Sequence, residues 1–183
     1  MGKEHGVFDL ARASAESRGA PSEALTWYTP VRFDPGLLRK LLDQHDMLDA
    51  RVASLPNRFR RDPQDAWRAA HACAGQLHEL RRQEALWVYP VIAHGLAGDP
   101  AARRRLLNLR FGMNGLARRV LRSIEELAHA VRQLADIAAG VATVASALTE
   151  YRQRNESELY TLYCLMDPRQ TPMLAKTNGH GFK

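Results

Sequence analysis

The stretch His78-Glu79-Leu80-Arg81-Arg82-Gln83-Glu84-Ala85-Leu86-Trp87-Val88-Tyr89-Pro90 decides how this chain is read. It continues a series, Ala70, Cys73, Leu77, Leu80, Glu84, Trp87 and Val91, spaced in alternating steps of three and four. That spacing returns side chains to one face of a helix. All but one of the series are apolar. Glu84 is the exception, so a carboxylate falls on the face turned to the core. A carboxylate there is costly unless something inside compensates it. The segment therefore predicts a helix and an internal polar site together.

Three further segments carry the same spacing. Leu38, Leu41, Leu42, His45, Leu48, Val52 and Leu55 mark a first helix from about Pro35 to Leu55. Asp34 suits its N-cap and Pro35 its first position, and Pro56-Asn57 should stop it. The quoted helix is the second, from Asp62 or Pro63 to just before Pro90 or as far as Gly95. A third, from Ala101 to Asp136, carries Leu106, Leu109, Met113, Leu116, Val120, Leu127, Val131 and Leu134. A fourth, from Ala138 to Met166, carries Val141, Val144, Leu148, Tyr151, Asn155, Glu158, Leu162 and Leu165, and Asp167-Pro168 ends it. No segment alternates with period two over a useful length. The expectation is an all-α, up-down-up-down four-helix bundle over residues 34–167. Residues 1–33 read as an N-terminal arm, and residues 168–183 as a loose polar tail.

Composition bounds the function. A chain of 183 residues with 45% apolar residues can bury one real core. Arginine and lysine outnumber the acids 26 to 20, and only Lys3, Lys40, Lys176 and Lys183 are lysines. The arginine and alanine bias suggests a bacterial source. Cys73 and Cys164 are far apart and form no zinc or redox spacing. No apolar run reaches the ~18 residues of a membrane span, and no signal pattern opens the chain. A soluble cytoplasmic protein is expected. No nucleophile elbow, Cys-His pair or phosphate-cradling glycine loop is present, so an enzyme is not the expectation.

His45, Glu84, Asn155 and Glu158 interrupt the apolar stripes, and bundle cores are where metal sites are built from facing helices. With Leu42-Asp43-Gln44-His45, Glu84-Ala85-Leu86-Trp87-Val88-Tyr89-Pro90 and Glu158-Leu159-Tyr160-Thr161-Leu162-Tyr163, the chain resembles the hemerythrin-like (HHE cation-binding) family over about residues 36–166. That resemblance implies a di-iron centre held by several histidines and two carboxylates. Leu80, Arg154 and Met113 stand where the family's other histidines are expected, so the implied site is degraded. What survives is a metal triad of His45, Glu84 and Glu158, or a metal-free polar cluster in which Arg154 pairs with a carboxylate. The metal-free reading is preferred, with no cofactor. His71 and His78 share a face about 100° off the core stripe and are expected to be exposed or at a helix boundary. Asn155-Glu156-Ser157-Glu158-Leu159 adds a fainter resemblance to the regulator of sigma D (Rsd/AlgQ) family.

The arginine clusters Arg58, Arg60, Arg61 and Arg103, Arg104, Arg105 offer a partner surface. An excess of positive charge suits an acidic protein or nucleic acid. No groove-reading module is recognisable, which favours a protein, and the second resemblance implies one concerned with transcription. The expected function is regulatory and interaction-based. The alternatives are an iron-binding oxygen or redox sensor or carrier using His45, Glu84 and Glu158, and a basic nucleic-acid-binding protein.

Overall fold

The computed structural model describes residues 32–169. Nearly all of the expected arm and tail lie outside these residues. Among the described residues every regular element is helical, and no helix is long and apolar enough to cross a membrane.

Helix α1 spans Leu37–Arg61. It begins two residues later than expected because Asp34 and Pro35 form a turn. The Asp34 carboxylate accepts from the Gly36 N–H, and the Asp34 carbonyl accepts from the Leu37 N–H. It also runs through Pro56, which was expected to end it. Proline removes one backbone donor from a helix interior. Here Val52 and Leu55 anchor the turn in the core, and the helix reaches Arg61. Asp62 then separates the helices. Its carboxylate accepts from the Gln64 N–H and caps α2 at Pro63–Gln83.

The second rod does not stop at Pro90. A π-helical segment, Glu84–Val88, follows α2 directly, and α3 continues over Tyr89–Gly95. The Tyr89 N–H reaches back five residues to the Glu84 carbonyl. Pro90 has no N–H, and in an α-turn its ring would crowd the carbonyl four residues back. The wider turn in front of it accommodates both problems.

Helix α4, Pro100–Arg132, is capped by Asp99, whose carboxylate accepts from the Ala102 N–H. It ends earlier than Asp136. Leu134 adopts a left-handed conformation (φ 56°) and is 68% exposed, so it leaves the core stripe on which the spacing put it. Helix α5, Ala138–Arg154, passes into a second π-segment, Asn155–Tyr160, and a last turn, α6, Thr161–Cys164. No proline accounts for this second widened turn. The Thr161 hydroxyl donates instead to the Glu156 carbonyl, five residues back.

α1 packs on α2, α2 on α4, α4 on α5 and α5 on α1, which closes a four-membered helical bundle. Leu41, Leu48, Leu55, Leu77, Leu80, Ile124, Leu127 and Leu148 are fully buried along its axis. Close packing has a local requirement at Gly140, where a Cβ would meet the Leu127 side chain at 3.0 Å.

Candidate functional site

The polar residues brought into this core come from three rods. His45 lies on α1, Glu84 opens the first π-segment, Tyr151 ends α5, and Asn155 and Tyr160 open and close the second π-segment. All five are buried. The Glu84 carboxylate is the hub. Its Oε2 accepts from the Tyr151 hydroxyl at 2.8 Å and its Oε1 from the Tyr160 hydroxyl at 2.9 Å. The Tyr160 oxygen lies 3.2 Å from His45 Nε2. The result is a hydrogen-bonded chain, Tyr151–Glu84–Tyr160–His45, across the bundle.

Asn155 sits beside this chain without closing it. It is fully buried, and neither its Nδ2 nor its Oδ1 has a hydrogen-bond partner. Its amide is near enough to Glu84 and Tyr151 to favour their charged forms. An unsatisfied buried amide costs about 1–3 kcal/mol.

The electrostatics follow from burial. Burial pushes Glu84 up to about 7, opposed by the two tyrosine hydroxyls and by Arg81. Burial lowers His45 to about 4, helped by the nearby Arg152 cation. The same exclusion of water, reinforced by the Glu84 charge, raises Tyr151 and Tyr160 far above the usual phenol range. Two proton arrangements fit the distances. With Glu84 ionised, both tyrosines donate to it and His45 Nε2–H donates to Tyr160. With Glu84 protonated on Oε1, the carboxyl donates to Tyr160, whose hydroxyl turns to a bare His45 Nε2.

Of the three proposed metal ligands, the structure joins His45 and Glu84 through Tyr160 and leaves Glu158 outside. Glu158 is exposed and accepts from Arg154 Nε at 3.0 Å, with the Arg154 guanidinium lying over Gly112 of α4. Arg154 therefore pairs with a carboxylate at the surface and not inside the cluster, where the metal-free reading put the pair. The reason is the π-turn. On an uninterrupted α-helix Glu158, seven residues after Tyr151, would return to the core face. The widened turn at Asn155 adds a residue to the register, so Leu159 is buried and Glu158 turns out. The second rod repeats this shift. Trp87, seven residues after Leu80, is 49% exposed, and Val88 takes its place.

Residue for residue, Leu80, Glu84, Val88 and Tyr89 in one rod correspond to Tyr151, Asn155, Leu159 and Tyr160 in the other. Tyr160 was not singled out by the spacing. The signal that reveals it is this correspondence, a buried tyrosine five residues after the interrupting polar residue in both rods.

These residues do not fit the di-iron centre that the hemerythrin resemblance implies. Both Glu84 oxygens are taken by tyrosine hydroxyls, Leu80 and Met113 present apolar side chains, and Asn155 supplies a neutral amide. Among the described residues no group of three or more His, Cys, Asp or Glu is placed to hold a metal ion. His71 and His78 are exposed, on a helix face about 100° off the core stripe.

The two arginine clusters do not share a surface. Arg58, Arg60 and Arg61 lie in the last turn of α1, and Arg58 pairs with Asp65 at 2.8 Å. Arg103, Arg104 and Arg105 lie in the first turns of α4, reached only after the second rod has run the length of the bundle. At about 1.5 Å per helical residue the two sets stand on the order of 40 Å apart. Set against known proteins, the chain matches no family model, no curated protein and no solved structure.

Proposed function

We propose that this chain is a bacterial, cytoplasmic regulatory protein that works by binding another protein, on a hemerythrin-like, up-down-up-down bundle whose metal site has been rebuilt as a metal-free polar cluster. The observation that supports the reading is the hydrogen bonding of both Glu84 oxygens to tyrosines. Each oxygen already accepts a tyrosine hydroxyl, and one of those tyrosines also reaches His45. Inward polar groups that bond across three rods fix which helix faces meet. On this reading they set the register of the bundle, and function lies on its surface.

The test is anaerobic iron loading of the full chain, followed by elemental analysis and absorption spectroscopy, with Glu84→Gln in parallel. The reading predicts no stoichiometric iron that depends on Glu84. Bound iron that is lost in Glu84→Gln, with an absorption band that responds to oxygen, would replace this reading with the iron sensor or carrier.

A further inference from the structure

From Pro100 to Ser123, α4 contains seven arginines and no aspartate or glutamate. Two of its large apolar residues, Leu107 and Phe111, are 63% and 75% exposed. They are four residues apart and so adjoin on one face. Arg103 precedes Leu107 by one turn, Arg104 precedes Phe111 by two, and Arg118 follows Phe111 by two. Toward α3 the same face is edged by Arg110, whose guanidinium lies 5.4 Å above the Tyr89 ring. Among the described residues, none of Arg103, Arg104, Arg110 and Arg118 enters an ion pair. Arg119, which does pair with Glu150, faces the other way, toward α5.

We infer that this face of α4 docks an acidic amphipathic helix of a partner protein, with Leu107 and Phe111 as the apolar anchors and the arginines as the rim. The inference rests on the protein-interaction reading and names its surface. An apolar centre inside a charged margin is the anatomy of a small protein interface, and anchors at helical spacing suit a helix laid along them. The uncompensated charge selects the sign of the partner. A second copy of this chain is disfavoured, since its α4 would bring the same arginines. Residues 1–31 mix Glu4, Asp9, Glu16 and Glu23 with Lys3, Arg12 and Arg18, so they offer no acidic run. A membrane surface would demand a broad apolar face, and α4 turns its broad face inward. Nucleic acid would use the arginines and has no need of the Leu107–Phe111 pair.

The probe is a fluorescein-labelled synthetic helix with leucines at i, i+4 and i+7 and glutamates flanking them. It is titrated by anisotropy against the full chain at two salt concentrations. The comparison ligands are a scrambled peptide of the same composition, a single-stranded and a duplex oligonucleotide, and vesicles containing anionic lipid. The amphipathic peptide should bind best, and Phe111→Ser and Leu107→Ser should each weaken it tenfold or more. Both positions are exposed, so the variants should keep the wild-type melting curve. Arg60→Glu/Arg61→Glu, at the other end of the bundle, should leave binding unchanged. Equal binding of the scrambled peptide, tighter binding of either oligonucleotide or of vesicles, or indifference to Phe111→Ser overturns the docking surface. Loss of binding in Arg60→Glu/Arg61→Glu alone moves the surface and leaves the protein-interaction reading standing, whereas iron that depends on Glu84 removes that reading itself.

Discussion

Glu84 and Asn155 hold equivalent places in two rods of the bundle: each is the first residue of a π-segment, and each lies five residues before a buried tyrosine. One place carries a carboxylic acid and the other a neutral amide one methylene shorter. If the interior can accept only one carboxylate, Asn155→Asp should be poorly tolerated. A second buried acid beside Glu84 must ionise without a cation or stay protonated. Urea denaturation should show a loss on the order of 3 kcal/mol at pH 8, and a much smaller loss at pH 5, where both acids hold their protons more readily. An unchanged midpoint at pH 8 would show that the interior already accommodates a second charge.

The pH dependence of stability follows from two opposed shifts. Glu84 titrates near 7 in the folded chain against an ordinary 4.5, so its contribution is complete below pH 4.5 and is lost as pH rises through 7. His45 titrates near 4 against an ordinary 6.5, so its contribution is complete above pH 6.5 and is lost as pH falls toward 4. Each is worth about 3 kcal/mol at most, and between pH 4.5 and 6.5 the slopes oppose each other. Relative to wild type, Glu84→Gln should therefore steepen the rise of stability with pH over this window. His45→Gln should instead make stability fall with pH. Chemical denaturation at a series of pH values measures both slopes, and parallel curves for all three proteins would refute the assignment.

Tyr160 bridges His45 and Glu84 through a single oxygen. Tyr160→Phe keeps the ring and strips one partner from each of two buried groups. The expected loss is about 1–3 kcal/mol, together with a further rise in the Glu84 carboxyl pKa, because a hydrogen bond to the charged form is gone. Tyr151→Phe should act in the same direction on the other oxygen. Thermal melts of the two variants check the loss, and a melting temperature equal to wild type in both would deny the cluster its structural role.

At the far end of α4, Leu134 holds a left-handed backbone conformation that side chains with a Cβ adopt at a cost of about 1–2 kcal/mol. Its side chain is exposed, so little packing is lost on truncation. Leu134→Gly should raise stability by about 1 kcal/mol, after the extra chain entropy of glycine is deducted. A lower denaturation midpoint in this variant would contradict the cap.

Much of the architecture was legible in the sequence because three-four spacing depends only on the helical period. His45, Leu48, Leu77 and Val120 fall on the buried face as that period requires. The period failed at Trp87 and Glu158, and for one shared reason. A π-turn adds a residue to the register, and nothing in apolar spacing announces it. Pro90 is a local cause in the second rod, while the fourth offers only the hydroxyl of Thr161. The candidate site was legible in part for the same reason. His45 lies on a rod without a shift and Glu84 precedes the shift in its own, so both are buried as their spacing requires; Glu158 follows a shift and turns outward. Tyr160 entered the cluster through that shift.

On the proposed reading, the inward carboxyl of Glu84 is satisfied by tyrosines and a proton, with no metal. Infrared difference spectroscopy across a pH titration, in wild type and in Glu84→Gln, observes that carboxyl directly. The account predicts one protonated-carboxyl band that disappears near pH 7, is absent in Glu84→Gln and is unchanged by added ferrous iron. A band already lost in the ordinary carboxylate range, or one abolished at pH 6 by one equivalent of iron, would contradict it.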